Sequence, residues 1–171
     1  MWGSAAKVGP HSVSNAEALA SNQPKEYRSN MTELPTRVDF SDAACDLLRK
    51  LYAIHKVGFM FHQSGGCCDG SAPMCYQAGE FRVGGSDVLM QTITVEGLPD
   101  PIKFYMSLEQ YEYWKHTHLT IDAVPGRGSG FSLESPEGMR FLTRSRLFTD
   151  EEAVALAGAS VQLGTGELVV I

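Results

Sequence analysis

The chain has 171 residues, a formal net charge of -6, 43% hydrophobic residues and 20% charged residues. That length fits one domain of roughly 130 ordered residues with tails and excludes two full cores, and the composition is globular, not disordered. An acidic balance with no block of Lys or Arg lacks the electrostatic footprint of a nucleic-acid or anionic-membrane partner.

Residues 1–36 are rich in Ser, Asn, Ala and Pro and show no sustained period, so they read as an N-terminal arm. The start of the chain has no basic segment followed by an apolar run, and no stretch reaches the roughly 18 apolar residues of a membrane span. A cytoplasmic location is therefore expected. A helix is predicted from Ser41, with Ser41 as N-cap and Asp42 in the first turn. Ala44, Leu47, Leu48, Leu51 and Ile54 repeat at helical spacing, and Gly58 stands as the stop. Cys45 lies beside that stripe and reads as a small buried hydrophobe.

After Gly58 the chain turns to short runs rich in aromatic and β-branched residues. Strands are predicted at Phe59 to Gln63, Val88 to Val95, Ile102 to Met106, Leu119 to Val124, Gly130 to Glu134 and Met139 to Phe148. Ser107 to Trp114 reads as a short helix capped by Ser107, Thr149 caps a last helical turn, and Gly158 onward reads as a tail. The organisation expected is an arm over 1–36, one globular domain over 37–157 and a C-terminal tail over 158–171. The fold class expected is α+β: a compact, mostly antiparallel β-sandwich covered by one N-terminal helix.

The chemistry is concentrated in Gly65-Gly66-Cys67-Cys68-Asp69-Gly70-Ser71-Ala72-Pro73-Met74-Cys75. A thiolate is both the nucleophile and the metal-binding form of cysteine, and clustered cysteines in a reducing compartment point to metal, catalytic or redox chemistry before disulfides. Gly65, Gly66 and Gly70 let the backbone turn sharply and Pro73 breaks a regular ladder, so Cys67, Cys68 and Cys75 can converge on one soft ion. Cys67 and Cys75 are the first candidates, because adjacent cysteines bind one ion together only across a distorted backbone. His62, on the strand entering the loop, can add an imidazole, since three cysteines and one histidine form a recurring zinc set. Buried loop packing and a redox-sensing thiol are the competing readings. Sulfur ligands suit zinc, copper(I) or iron-sulfur clusters.

Other polar groups are weaker signals. His116 and His118 face one side if their segment is a strand and could hold a metal; near a helix end they serve the dipole instead. Gly126 to Gly130 lacks the Gly-Lys-Ser/Thr ending of a phosphate loop and reads as a hairpin turn. Arg140, Arg144 and Arg146 share a strand face, for carboxylate binding, a pair with Glu134, or plain solvation. Asp87, Asp122 and Glu134 are scattered carboxylates.

The run Phe61 to Tyr76, together with Phe104-Tyr105-Met106-Ser107, Tyr113 to Thr117, Val124 to Glu134 and Arg140 to Arg146, resembles a small bacterial family of unknown function often encoded beside aldehyde dehydrogenases. That resemblance covers roughly residues 38 to 150 and implies an aldehyde dehydrogenase as partner. More distantly, the order of helix, strand, Gly-Gly-Cys loop, Ile121-Asp122-Ala123-Val124 and Gly130-Phe131 resembles the A-type iron-sulfur carriers. This likeness implies their compact β-sandwich with a helix, a homodimer, and Cys67 as a ligand of iron or a cluster. The carriers' C-terminal Cys-x-Cys is missing, so Cys68, Cys75, His62 or His116 would have to replace it. The leading expectation is a thiolate-based metal or iron-sulfur protein, holding iron, zinc or copper, accessory to aldehyde or alcohol oxidation. A metal-dependent or cysteine-dependent redox enzyme is the second, and a chaperone-like binding module for a dehydrogenase the third.

Overall fold

In a computed structural model of the chain, residues 34–65, 72–128 and 130–170 are described. The arm expected over 1–36 lies outside the described residues except for its last three positions. The described residues form an α+β fold in which two sheets face one another across one core. The smaller sheet holds β1 (Val38–Phe40), β6 (Thr117–Pro125) and β7 (Met139–Leu147), in the order β1-β6-β7. The larger has the order β3-β2-β5-β4-β8-β9, built from β2 (Phe59–Gln63), β3 (Met74–Gln77), β4 (Val88–Ile93), β5 (Ile102–Met106), β8 (Ser160–Leu163) and β9 (Leu168–Val170). Pairing is antiparallel except between β1 and β6 and between β2 and β5.

Helix α1 (Asp42–His55) starts where expected, because the Ser41 side chain accepts the Ala44 N–H at 3.2 Å. Ser41 also donates to Asp122 at 2.6 Å, which ties the helix start to β6. Ala44, Leu47, Leu48 and Leu51 are buried, so this face joins the core; Ile54, assigned to the same stripe, is 52% exposed. The helix ends at Lys56 in the left-handed region, φ 56°, before the chain reaches Gly58. Gly58 instead opens the β2–β3 pair, accepting the Ala78 N–H at 2.8 Å. Cys45 is only partly buried, and desolvation pushes its thiol up.

The core is closed by Phe61 of β2, which meets Phe104 at 6.0 Å in its own sheet and Phe141 of the facing sheet edge-on at 5.0 Å. Aromatic pairs at these separations add to the burial term. Helix α2 (Leu108–Trp114) is capped by Ser107, and α3 (Asp150–Leu156) by a full Thr149/Glu152 capping box.

Two readings of the sequence are corrected. Residues 158–170 are not a tail: β8 pairs with β4 and β9 with β8, forming one edge of the larger sheet. Residues 130–134 are not a strand but turns leading into a 3-10 turn at Ser135–Glu137, whose Pro136 cannot donate to a ladder. No helix among the described residues is long and apolar enough to cross a membrane.

Candidate functional site at the feet of the cysteine loop

The cysteine loop joins β2 to β3. The register Phe61↔Cys75 and His62↔Met74 sets its two feet side by side. Cys67 and Cys68 lie outside the described residues, but the feet are described in full. In a strand, successive side chains point to opposite faces. Phe61 and Cys75 therefore face the core between the sheets, while His62 and Ser64 face the other side, under the chain that links β3 to β4.

On that outer side, Phe81 packs over the His62 ring at 4.5 Å and stacks on Tyr76 at 4.6 Å, leaving His62 4% exposed. His62 Nε2 lies 2.9 Å from Asp87 Oδ2, and Nδ1 lies 2.9 Å from the Ser64 hydroxyl. A carboxylate only accepts, so Nε2 carries a proton toward Asp87, and in the neutral imidazole Nδ1 then accepts from Ser64. Asp87 is itself held by the Gly84 N–H at 2.7 Å, and its carbonyl accepts the Gly164 N–H at 2.8 Å. The last hairpin thus braces the carboxylate that orients His62. Gly164 has no room for a side chain, since a Cβ there would collide with the Gly84 carbonyl oxygen. The result is a carboxylate, imidazole and hydroxyl in series, a chain able to draw a proton from Ser64.

The inner side is buried. Cys75 is fully buried, and burial first, then the neighbouring Glu134, pushes its thiol well above the usual range. Ser132 accepts the Cys75 N–H at 2.8 Å and donates through a short bond to Glu134. The Leu133 N–H returns to the Cys75 carbonyl at 3.0 Å. Glu134 is 2% exposed; burial raises its pKa, opposed by hydrogen bonds from Ser132, from its own N–H and from that of Phe141. Glu134 also borders a cavity of about 30 Å³ with Ala72, Pro73, Arg127, Arg140 and Phe141, room for about one water. Gly128 closes it, and a Cβ there would meet Ser135 Oγ at 2.7 Å and Glu134 Oε1 at 3.1 Å.

Between the feet, buried Gln63 donates to Gln110 Oε1 at 3.2 Å and accepts from Thr143 at 3.1 Å, while Trp114 donates to the same Gln110 oxygen at 3.1 Å. This polar bridge locks the loop's entry to α2 and to β7 of the facing sheet.

The structure does not bring the candidate ligands Cys75, His62 and His116 together. Strand alternation puts Cys75 and His62 on opposite faces, and both His62 nitrogens are engaged. His116 is exposed beyond the end of α2, while neighbouring His118 is buried against Asp39 at 3.0 Å. Among the described residues no group of three His, Cys, Asp or Glu is placed to hold a metal ion. The arginine face also resolves: Arg144 pairs with Asp122 at 2.7 Å and Arg146 grips both oxygens of Glu152. Neither pairs with Glu134; Arg140, the third member of that face, lines the small cavity that Glu134 borders.

Asp87 and Glu134 stood in the sequence as unconnected carboxylates, and Ser64 was passed over. Only its place two residues after His62 on a strand signals their shared face.

These features define the class: an α+β protein of two facing sheets with a cysteine-bearing hairpin loop mounted on β2 and β3. Residues 47–147 match the family described as Domain of unknown function (DUF779). The match spans more than half of the chain, which therefore belongs to that family. No curated protein matches the chain. The matched segment contains both feet of the loop and the Ser132 to Glu134 turn.

Proposed function

We propose that this protein binds a metal ion or an iron-sulfur cluster through thiolates of the loop between β2 and β3. Cys67, Cys68 and Cys75 are the ligands, and iron, zinc or copper the metal. The observation that carries the reading is that β2 and β3 hold the two feet of the three-cysteine loop side by side, with Cys75 buried at one of them. A thiol in that setting keeps its proton unless a cation supplies compensating charge, and metal binding is the chemistry that takes the proton away. Glu134 is the carboxylate whose charge acts on that thiol, so a mixed sulfur and carboxylate set suits zinc or iron. His62 and His116 stand outside this set. The resemblance to proteins encoded beside aldehyde dehydrogenases extends the proposal to a role accessory to aldehyde or alcohol oxidation, with an aldehyde dehydrogenase as partner.

Protein purified without added metal tests this by elemental analysis. The wild type should carry about one metal equivalent per site, and the Cys67→Ser/Cys75→Ser double variant should lose it while staying folded. Equal metal content in both proteins overturns the reading.

The Ser64, His62 and Asp87 series favours a second reading, a redox or hydrolytic enzyme in which His62 is the base. His62→Ala separates the two: it removes turnover in the enzyme reading and leaves metal content unchanged in the first.

A further inference from the structure

Away from the loop, a cavity of about 320 Å³ opens between the end of α2, the end of β7 and α3. Tyr111 and Arg37 lie at its base, and His116, Leu147, Phe148 and Leu156 line its sides. Arg37 is 9% exposed. Its guanidinium donates to the Lys115 carbonyl at 3.4 Å and lies 6.0 Å from the Tyr111 ring centroid. Among the described residues it has no carboxylate at ion-pairing distance, and no Asp or Glu lines the cavity. Lys115, at the rim, is already paired with Glu112 at 2.6 Å. A guanidinium has five N–H donors in a planar fork, and a buried charge without a counter-ion is costly. The cavity therefore presents one buried cation, an exposed imidazole and apolar side chains in its lining.

We propose that this cavity binds a small monocarboxylate with an apolar body. Its carboxylate forks onto Arg37, His116 lies over the carboxylate, and its hydrocarbon part packs on Leu147, Phe148 and Leu156. Arg37, the one lining cation without a carboxylate partner among the described residues, selects a single negative charge, and the apolar walls select a chain or ring over inorganic anions. The volume sits at the small end of ligand sites, which suits a molecule of octanoate's size.

The test is titration of the full chain with sodium octanoate, octan-1-ol and octylamine, followed by amide chemical shifts and thermal unfolding. Octanoate should bind saturably and raise the unfolding temperature, at least about tenfold more tightly than either neutral or cationic analogue. Arg37→Leu should weaken octanoate by at least about tenfold. Because Arg37 also holds the Lys115 carbonyl, Ala157→Trp serves as the second variant: Ala157 is an exposed rim residue, and the indole should fill the cavity and block octanoate without touching Arg37's hydrogen bonds. No saturable octanoate binding, octanol binding equal to octanoate, or octanoate binding that survives Ala157→Trp overturns the proposal.

Discussion

The two feet of the cysteine loop differ in how each handles a proton. On the outer face, Ser64, His62 and Asp87 form a series along which a proton can move, braced by Gly84 and Gly164. On the inner face, Cys75, Ser132 and Glu134 are buried, and burial works against charge on both the thiol and the carboxylate. One hairpin carries both because strand side chains alternate, so residues adjacent in the register meet different solvents. The lesson is that the loop's candidate ligands are not equivalent: His62 sits in a hydrogen-bonded series on one face, and Cys75 is buried beside a buried carboxylate on the other.

The largest effect should come from breaking the outer foot. Asp87→Ala leaves His62 buried against Phe81 with an unpaired N–H, which should cost about 3 kcal/mol in a denaturant titration. Asp87→Asn keeps an acceptor and should lose less. A cost near zero for the alanine variant would mean that His62 is reached by water and the foot is not preorganised. At the inner foot, Ser132→Ala removes the partner of the Cys75 N–H and a donor to Glu134, and should cost about 1–2 kcal/mol. If Ser132→Ala is as costly as Asp87→Ala, the contrast between the feet fails.

The sequence disclosed those parts of the molecule whose signals are local. Helix α1 is legible in its Ser41 cap and leucine stripe, α2 and α3 in their caps, and β2 and β5 in their apolar runs. The short β1 and β3 are not, since each exists only through a partner distant in the chain or across the loop. The turn at residues 130–134 misleads because its alternation has the wrong phase. Phe131 is 86% exposed while Ser132 and Glu134 are buried, a pattern set by bonds of Ser132 and Leu133 to the Cys75 backbone and of Glu134 to Ser132. The cysteine loop stood out as a cluster. The pairing of His62 with Asp87, 25 residues later, depends on the chain after β3 folding over β2, and no local period reports that.

The smallest expected effect lies far from both feet and serves as their control. Arg146 holds both oxygens of Glu152, which also accepts the Thr149 N–H, and these bonds lower the Glu152 pKa to about 2. A depressed carboxyl stabilises the fold above its unfolded pKa and loses that contribution as pH falls toward its folded value. The stability difference between wild type and Arg146→Ala should thus be present at neutral pH and fade between about 4.5 and about 2. The pair is solvent-exposed, so the difference should be small and shrink further with salt. A difference independent of pH would show that Arg146 acts through packing alone.

The most direct test of thiolate ligation is the sulfur content of the metal's first coordination shell, read by X-ray absorption on protein purified with its metal. The account predicts metal-sulfur scattering near about 2.3 Å if the ion is zinc. That signal should diminish in Cys75→Ser and stay unchanged in His62→Ala. A shell without sulfur, or one that keeps its sulfur in Cys75→Ser and loses a nitrogen in His62→Ala, would contradict it.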